Sequence, residues 1–390
     1  MKKLIEKYEQ KLINQGLSIK EHITLGGIDA DIQWNQRSEH TALLTDVING
    51  MNINSILFAK PAEPYNSIIN YLTDNNQEHT DLYPQDCETR TFLHSIPIAK
   101  SFSSEDILNK LKHKKSVIVP NEGIVTYGVV SPEQAFIVFS SVCFSLFVKF
   151  FADFYYNSQT KEPSEIEKQL IKQSIESYES YINTFNKLPE IHKPLDDSEK
   201  IITAMAETGR LTIESHMVDS FFGNISVKHK NIIYISQTGS SLDELEGYID
   251  PCPVDDSATT GITASSEFSA HKSIYDLTGN DCILHGHPRF SVIMSMICDT
   301  QNCEIKKADL CHIKCSEKRF LKDIPIVPGE VGTGPTGLVN TLPPALTGRG
   351  AIVYGHGLFT TSSNDFTEAF KNLINIEKMC VEMYRDLVGF

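Results

Sequence analysis

The sequence predicts an α/β protein built from two related domains, and three observations carry that expectation. Short runs rich in β-branched and aromatic residues, "NIIYIS" (231–236), "CILHGH" (282–287) and "GAIVYGH" (350–356), end in polar or glycine residues as strands do. Two longer stretches, "SSEFSAHKSIYDLTG" (265–279) and "DFTEAFKNLINIEKMCVEMYRDL" (365–387), place apolar residues at helical spacing behind polar capping residues. The third observation is that the chain repeats itself.

The repeat appears in four places. "FLHSIPI" (92–98) matches "FLKDIPI" (320–326) at an offset of 228 residues, and at the same offset Ser38–Glu39 falls on Ser266–Glu267. "ILFAKP" (56–61) lies over "ILHGHP" (283–288) with a one-residue slip. "VIVPNEGIVTYGVVSPEQAF" (117–136) lies over "AIVYGHGLFTTSSNDFTEAF" (351–370) without a gap. Each match is short, but four in the same order at similar intervals point to an internal duplication. The expected layout is a first domain over residues 1–160, a connecting helix or linker over 161–200, and a second domain over 201–390. The polar, proline-bearing "NSQTKEPSEIEKQ" (157–169) marks the junction. A length of 390 residues suits two cores better than one.

Composition narrows the function. The chain is 41% hydrophobic and 22% charged, with a net charge of −15. That balance excludes a general affinity for nucleic acid, which needs a basic face, and disfavours anionic membranes. The opening "MKKLIEKYEQKLINQG" is broken by charge every few positions and reads as an amphipathic helix, so a cytoplasmic protein is expected. The apolar stretch 135–156 is long enough to span a bilayer, yet it contains Lys149 and Asp153, and a buried helix is the expectation. Nine cysteines, an odd count, suggest reduced thiols. Cys298, Cys303, Cys311 and Cys315 cluster around His312, but only Cys311 and Cys315 approach the spacing of a zinc knuckle, so buried apolar thiols are expected there.

Chemistry concentrates in the second copy. His285 and His287 are separated by one residue, which on a strand puts both imidazoles on one face with their Cα atoms roughly 6–7 Å apart. His356, between glycines in "YGHGLF", closes another apolar run and offers a third imidazole. Three neutral imidazoles with an open position describe a catalytic divalent metal, although a strand-end histidine by itself is more often structural. Glu267, at a helix start, is a fourth ligand or a general base. His271, one turn further along, reads as structural. In the first copy Phe58, Lys60 and Glu122 stand where the three histidines would be, and Glu39 where Glu267 would be. Three small-residue turns, 223–226, 238–240 and 265–267, together form a cradle suited to a phosphate or carboxylate, while each taken singly is an ordinary turn or cap.

This ordered set, "GNIS", "TG", "SSE" with a following "H..IY", "HGHP" and "GHGLF", resembles the class II aldolase/adducin family over about residues 201–390. The resemblance implies a three-layer α/β/α sandwich around a largely antiparallel sheet, with the first half a degenerate copy of it. It implies zinc on His285, His287 and His356, metal binding or acid/base work by Glu267, and phosphate binding by Asn224, Thr238, Gly239, Ser265 and Ser266. It further implies a homo-oligomer acting on a small, phosphorylated, carbohydrate-like molecule. The expected activity is a metal-dependent lyase working on a carbon–carbon bond through a metal-stabilised enediolate. Epimerase, decarboxylase or dehydratase chemistry at the same site is an alternative, as is a non-catalytic, adducin-like scaffold. The segment 295–334 does not match the sugar-phosphate members, and the proton donor stays open among Glu330, Asp309 and Tyr354, candidates by residue type.

Overall fold

A computed structural model describes the chain apart from residues 76–79, 187–194, 220, 256, 299, 301, 316 and 347. It divides into two compact units, Met1–Ser174 and Ile175–Phe390. The division falls inside the stretch 161–200 expected to connect two domains; residues 187–194 of that stretch lie outside the described residues.

The first unit runs α1 (Lys2–Asn14), β1 (Ile23–Ile28), β2 (Ile32–Trp34), α2 (Thr41–Asn49), β3 (Ser55–Ala59), α3 (Tyr65–Asp74), β4 (Asp81–Leu82), α4 (Cys87–Leu93) and β5 (Ile96–Pro97). It continues with α5 (Ser104–Leu111), β6 (Ser116–Val119), β7 (Gly123–Gly128) and α6 (Pro132–Ser158), and α7 (Glu165–Ile182) carries the chain across the division. Five strands form one sheet in the order β2-β1-β3-β7-β6, with every pairing antiparallel. On one face, Leu44 and Val47 of α2 and Ile107 and Leu111 of α5 pack with Phe58, Val117 and Val125. Thr126 alternates with Val125 and so points to the opposite face, where its hydroxyl donates to the Ala135 carbonyl of α6 at 2.8 Å.

Helix α6 shows how composition becomes position. Pro132 opens it in the first turn, where a missing N–H costs nothing, and no later proline or glycine interrupts its 27 residues. Apolar and aromatic side chains surround it on all sides, which suits only a buried environment. It is long and apolar enough to cross a membrane, and 89% of its most apolar window is buried inside the protein. Lys149 and Asp153, the two charges that break the run, lie one turn apart and pair at 2.8 Å.

The second unit contains α8 (Ser198–Glu214), β8 (Asn224–His229), β9 (Ile232–Ser236), β10 (Ile249–Pro253), α9 (Phe268–Thr278), β11 (Cys282–Gly286), α10 (Arg289–Met296) and α11 (Glu304–Lys307). Then follow β12 (Arg319–Leu321), β13 (Ile324–Val327), α12 (Leu338–Thr341), β14 (Ala351–Val353), β15 (Gly357–Ser362) and α13 (Thr367–Val388). Its eight-stranded sheet has the order β10-β9-β8-β11-β15-β14-β13-β12, antiparallel except for the β13–β14 pair. Ile274 and Tyr275 of α9 and Leu338 and Leu342 pack with Ile233, Ile283 and Phe359. Helix α13 packs on α10, β11 and β15.

The inner five strands of this sheet, β9-β8-β11-β15-β14, repeat the order of the first unit strand for strand. The register repeats as well. Phe58 pairs with Thr24 and Val125, and His285 pairs with Asn224 and Phe359. The parallel bridge Ile98–Ile118 has its counterpart in Ile326–Ile352, at the positions where "FLHSIPI" lay over "FLKDIPI". A shared backbone constraint accompanies the shared register. A Cβ on Gly357 would come within 2.4 Å of the Gly286 carbonyl, and one on Gly123 within 2.5 Å of the Ala59 carbonyl. Glycine is therefore required at the same crossing in both units. The units part in the first hairpin, where Gly26 faces Trp34 but Ser226 faces Ile235, one residue further round.

The cysteines depart from the expectation in one place. Cys143, Cys252, Cys282 and Cys380 are buried, but Cys298, Cys303, Cys311 and Cys315 are only half-buried. Among the described residues, the segment that carries those four has one short helix, α11, with no buried residue, and supplies no apolar core to enclose them.

Candidate metal centre

Strand β11 delivers the first two histidines. All five of its residues are buried, so His285, near its end, is carried into the interior between β8 and β15. The chain leaves the strand with His287 fixed by its own amide, which donates to the Met217 carbonyl at 2.8 Å. The third histidine sits in the tight turn between β14 and β15. His356 N–H donates to the Val353 carbonyl at 3.1 Å, and Gly355, in the left-handed region at φ 59°, donates its amide to Ser295 Oγ at 2.8 Å. Gly357 then lets β15 pass close against β11, which brings the turn to the other two imidazoles. Among the described residues, His285, His287 and His356 form the group whose ligand atoms all lie within 4.8 Å of one another, and all three are buried.

Glu267 closes the site. It stands immediately before α9, 4% exposed, with Oε1 3.3 Å from His356 Nε2 and Oε2 3.7 Å from His285 Nε2. Asn224 Nδ2 donates to Oε2 at 2.6 Å. Burial raises the Glu267 carboxyl, but His285, His356 and the Asn224 amide more than offset it and hold the group well below the usual carboxylate range. The histidines move the other way. Burial pulls His285 down to about 4 against the attraction of Glu267. Burial also pulls His287 well below its ordinary value, and its two histidine neighbours add to the effect. The result is an ionised carboxylate beside neutral imidazoles whose lone pairs are available.

The hydrogen-bond pattern fits a cation. His285 Nδ1 lies 3.1 Å from the Leu358 carbonyl, which only accepts, so Nδ1 carries the proton and Nε2 presents its lone pair. His287 Nε2 stands 3.0 Å from that same Nε2, and its Nδ1, buried, has no hydrogen-bond partner. Two imidazoles converging nitrogen to nitrogen beside a carboxylate are satisfied together by one divalent ion. Phe359 stacks on the His285 ring at 3.8 Å and 10°, and Phe222 on the His287 ring at 5.6 Å and 15°. These aromatic walls escaped the sequence reading, although Phe359 lay within the "GHGLF" motif.

The expected phosphate residues are brought to one region, with a different division of labour. A bridge between Gln237 and Ala264 sets the turn holding Thr238 and Gly239 beside the one holding Ser265 and Ser266. The Thr238 amide is used by the Thr263 carbonyl and the Ser265 amide by the Ser236 carbonyl, both at 3.0 Å. Thr238, Gly239 and Ser266 are exposed, whereas Ser265 is buried and Asn224 is engaged with Glu267. His271 is buried with Nδ1 2.7 Å from Ser226 Oγ, a structural contact in keeping with the role read for it. Of the three proton-donor candidates, Asp309 and Glu330 are exposed. Tyr354, two residues before His356, is partly buried, and it makes a hydrogen bond with the Cys311 thiol beneath the Arg319 guanidinium.

A mainly antiparallel sheet flanked by helices, with three buried imidazoles and a carboxylate at its centre, defines this unit as an α/β domain equipped to bind a metal. Residues 203–384 match the model of the class II aldolase and adducin N-terminal domain, and this stretch belongs to that family. Among solved structures, an L-fuculose-1-phosphate aldolase from Thermus thermophilus is 20% identical. The match covers 49% of this chain and 94% of that one, with a TM-score of 0.37. A sugar-phosphate aldolase from Thermotoga maritima is 14% identical, with 49% and 96% covered and a TM-score of 0.36. The N-terminal class II aldolase domain of a conserved Thermoplasma acidophilum protein is 15% identical, with 50% and 99% covered and a TM-score of 0.34. No curated protein matches the chain.

Proposed function

We propose that the second unit is a divalent-metal-dependent lyase of the class II aldolase type, cleaving or forming a carbon–carbon bond in a small, phosphorylated, ketose-like substrate. The observation that carries this reading is the buried group of His285, His287 and His356 with an ionised Glu267 against it. The three imidazoles would hold the metal, most simply zinc given an all-nitrogen set. A divalent cation there supplies a positive charge against which substrate oxygens can develop negative charge. Glu267 takes up and returns the proton on the substrate carbon, and Asn224 fixes the orientation of its carboxylate. Phe359 and Phe222 shield the imidazoles from water. The exposed Thr238, Gly239 and Ser266 receive the phosphate.

We read the whole chain as two copies of one three-layer α/β/α scaffold, supported by the common strand order and register, with the first copy stripped of its ligands. A cytoplasmic homo-oligomer is part of the same reading. Metal analysis of purified protein combined with an aldehyde-release assay on phosphorylated ketoses tests it. Loss of one equivalent of divalent metal in His285→Ala, together with the activity, is the expected result. Metal content unaffected by that substitution would leave the site a scaffold relic.

A further inference from the structure

Four of the cysteines meet at a second place in this unit. Cys298, Cys303, Cys311 and Cys315 line one cavity of about 330 Å³. They follow α10 on a segment whose only regular element before β12, among the described residues, is the four-residue α11. A stretch of this length without a core of its own requires some other tie to hold one conformation. Its thiols are half-buried, so they are not the apolar filling of a core.

Two cations are fixed at the same cavity. Arg319 lines it and donates to the Ser295 and Ile297 carbonyls at 2.7 and 2.5 Å. Lys306 lines it and donates to the Cys298 carbonyl at 3.2 Å. Burial raises the Cys298 thiol, but Thr300, Arg319 and Lys306 outweigh that and bring it below its ordinary value. Four sulfurs that line one cavity can share a single cation. Two disulfides would leave Arg319 and Lys306 beside neutral sulfur. Four thiolates around a divalent ion carry a net charge of −2, which Arg319 and Lys306 moderate beside the Glu304 and Glu317 carboxylates that also line the cavity.

We propose that Cys298, Cys303, Cys311 and Cys315 form a second metal site, a closed four-sulfur centre for zinc that is separate from the histidine centre and structural in role. The four sulfurs line the cavity, but among the described residues no three of them lie within 4.8 Å of one another, so binding has to draw the segment inward. Each thiol proton passes to solvent as its sulfur–zinc bond forms, which makes binding dependent on pH. The tie reaches the histidine centre through one contact. Cys311 makes a hydrogen bond with Tyr354, which stands two residues before His356. Fixing the cysteine segment therefore fixes the turn that presents the third imidazole.

Cobalt titration of the full chain, stripped of metal under reducing conditions, tests the site without reference to catalysis. The expected result is a cobalt equivalent with intense thiolate-to-metal charge-transfer absorption, lost in Cys311→Ser and in Cys315→Ser but retained in His285→Ala. A second measurement needs no variant. Zinc should protect all four of these cysteines from alkylation in the wild-type protein, as mapped by mass spectrometry. Absence of the charge-transfer band at saturating cobalt, its loss in His285→Ala alone, or alkylation of the four thiols at the same rate with and without zinc would overturn the proposal. So would disulfides among the four in freshly isolated protein that persist when zinc is added.

Discussion

Glu267 has two jobs that pull on the same two oxygens. Oε2 accepts from Asn224 at 2.6 Å, while Oε1 faces His356 at 3.3 Å. If the carboxylate moves a proton, Glu267→Gln should keep the bound metal and lose roughly 10²–10⁴-fold in turnover. If the metal falls with the activity, the carboxylate is a ligand and the proton assignment is wrong; metal analysis and kinetics on one preparation separate the two. At this scale the sequence was informative where spacing fixes geometry. The spacing of His285 and His287 put both on one face because a strand alternates, and His356 at the close of an apolar run offered the third imidazole. It was silent on Phe359, Phe222 and the Asn224–Glu267 bond, which join residues far apart in the chain. It also misjudged the half-buried cysteines, because thiol burial depends on what packs around them.

Helix α10 owes its place to a residue nearly ninety positions away. Its first amides, Phe290 and Ser291, donate to Glu377 at 2.7 and 2.8 Å, and the Ser291 hydroxyl donates at 2.7 Å. Tyr178 adds a fourth donor at 2.8 Å. Burial pushes the Glu377 carboxyl up, while the four donors favour its ionised form and oppose that rise. A carboxylate from α13 thus caps α10 at the exit of the strand that carries the histidines. Glu377→Gln turns one acceptor into a donor aimed at donors and should cost about 2–4 kcal/mol, read as a lower urea midpoint with the slope unchanged. Helix α13, which carries Glu377, was legible as the helical run 365–387, whereas α10 and its cap were not, since no local motif encodes a partner on another element. Helix α6 was legible as buried because its apolar residues surround it and its two charges stand one turn apart.

For the molecule as a whole, the four short matches lie in units whose sheets share a strand order and a register over five strands. The outer strand β10 had no such signal, because pairing partners at long range leave no local pattern, whereas β12 and β13 lie at the "FLKDIPI" match. The two units should also answer differently to acid. Asp86, 1% exposed, caps α4 through the Thr89 amide and hydroxyl, and burial pushes its carboxyl from 3.8 up to about 6. The folded first unit therefore favours the protonated form. Stability from this group is fully present below about pH 4 and lost as pH rises through 6, a change of about 3 kcal/mol. Trp34, the one tryptophan, lies in the first unit, so its fluorescence in urea follows that unit alone. The midpoint should fall between pH 4 and 6 in the wild type and change less in Asp86→Asn. Identical pH profiles for the two proteins would remove Asp86 as the cause.

The twin registers also bear on how the chain reaches its native state. While both sheets are incomplete, β3 presents edges cut to the same pattern as those of β11, and cross-pairing between copies is a ready kinetic trap. Synthesis from the N-terminus works against it. All five strands of the first sheet, through Gly128, have been made before the first strand of the second, at Asn224, exists. A chain refolding from denaturant, with every strand available at once, lacks that order of arrival and should recover more slowly and less completely than one emerging from the ribosome.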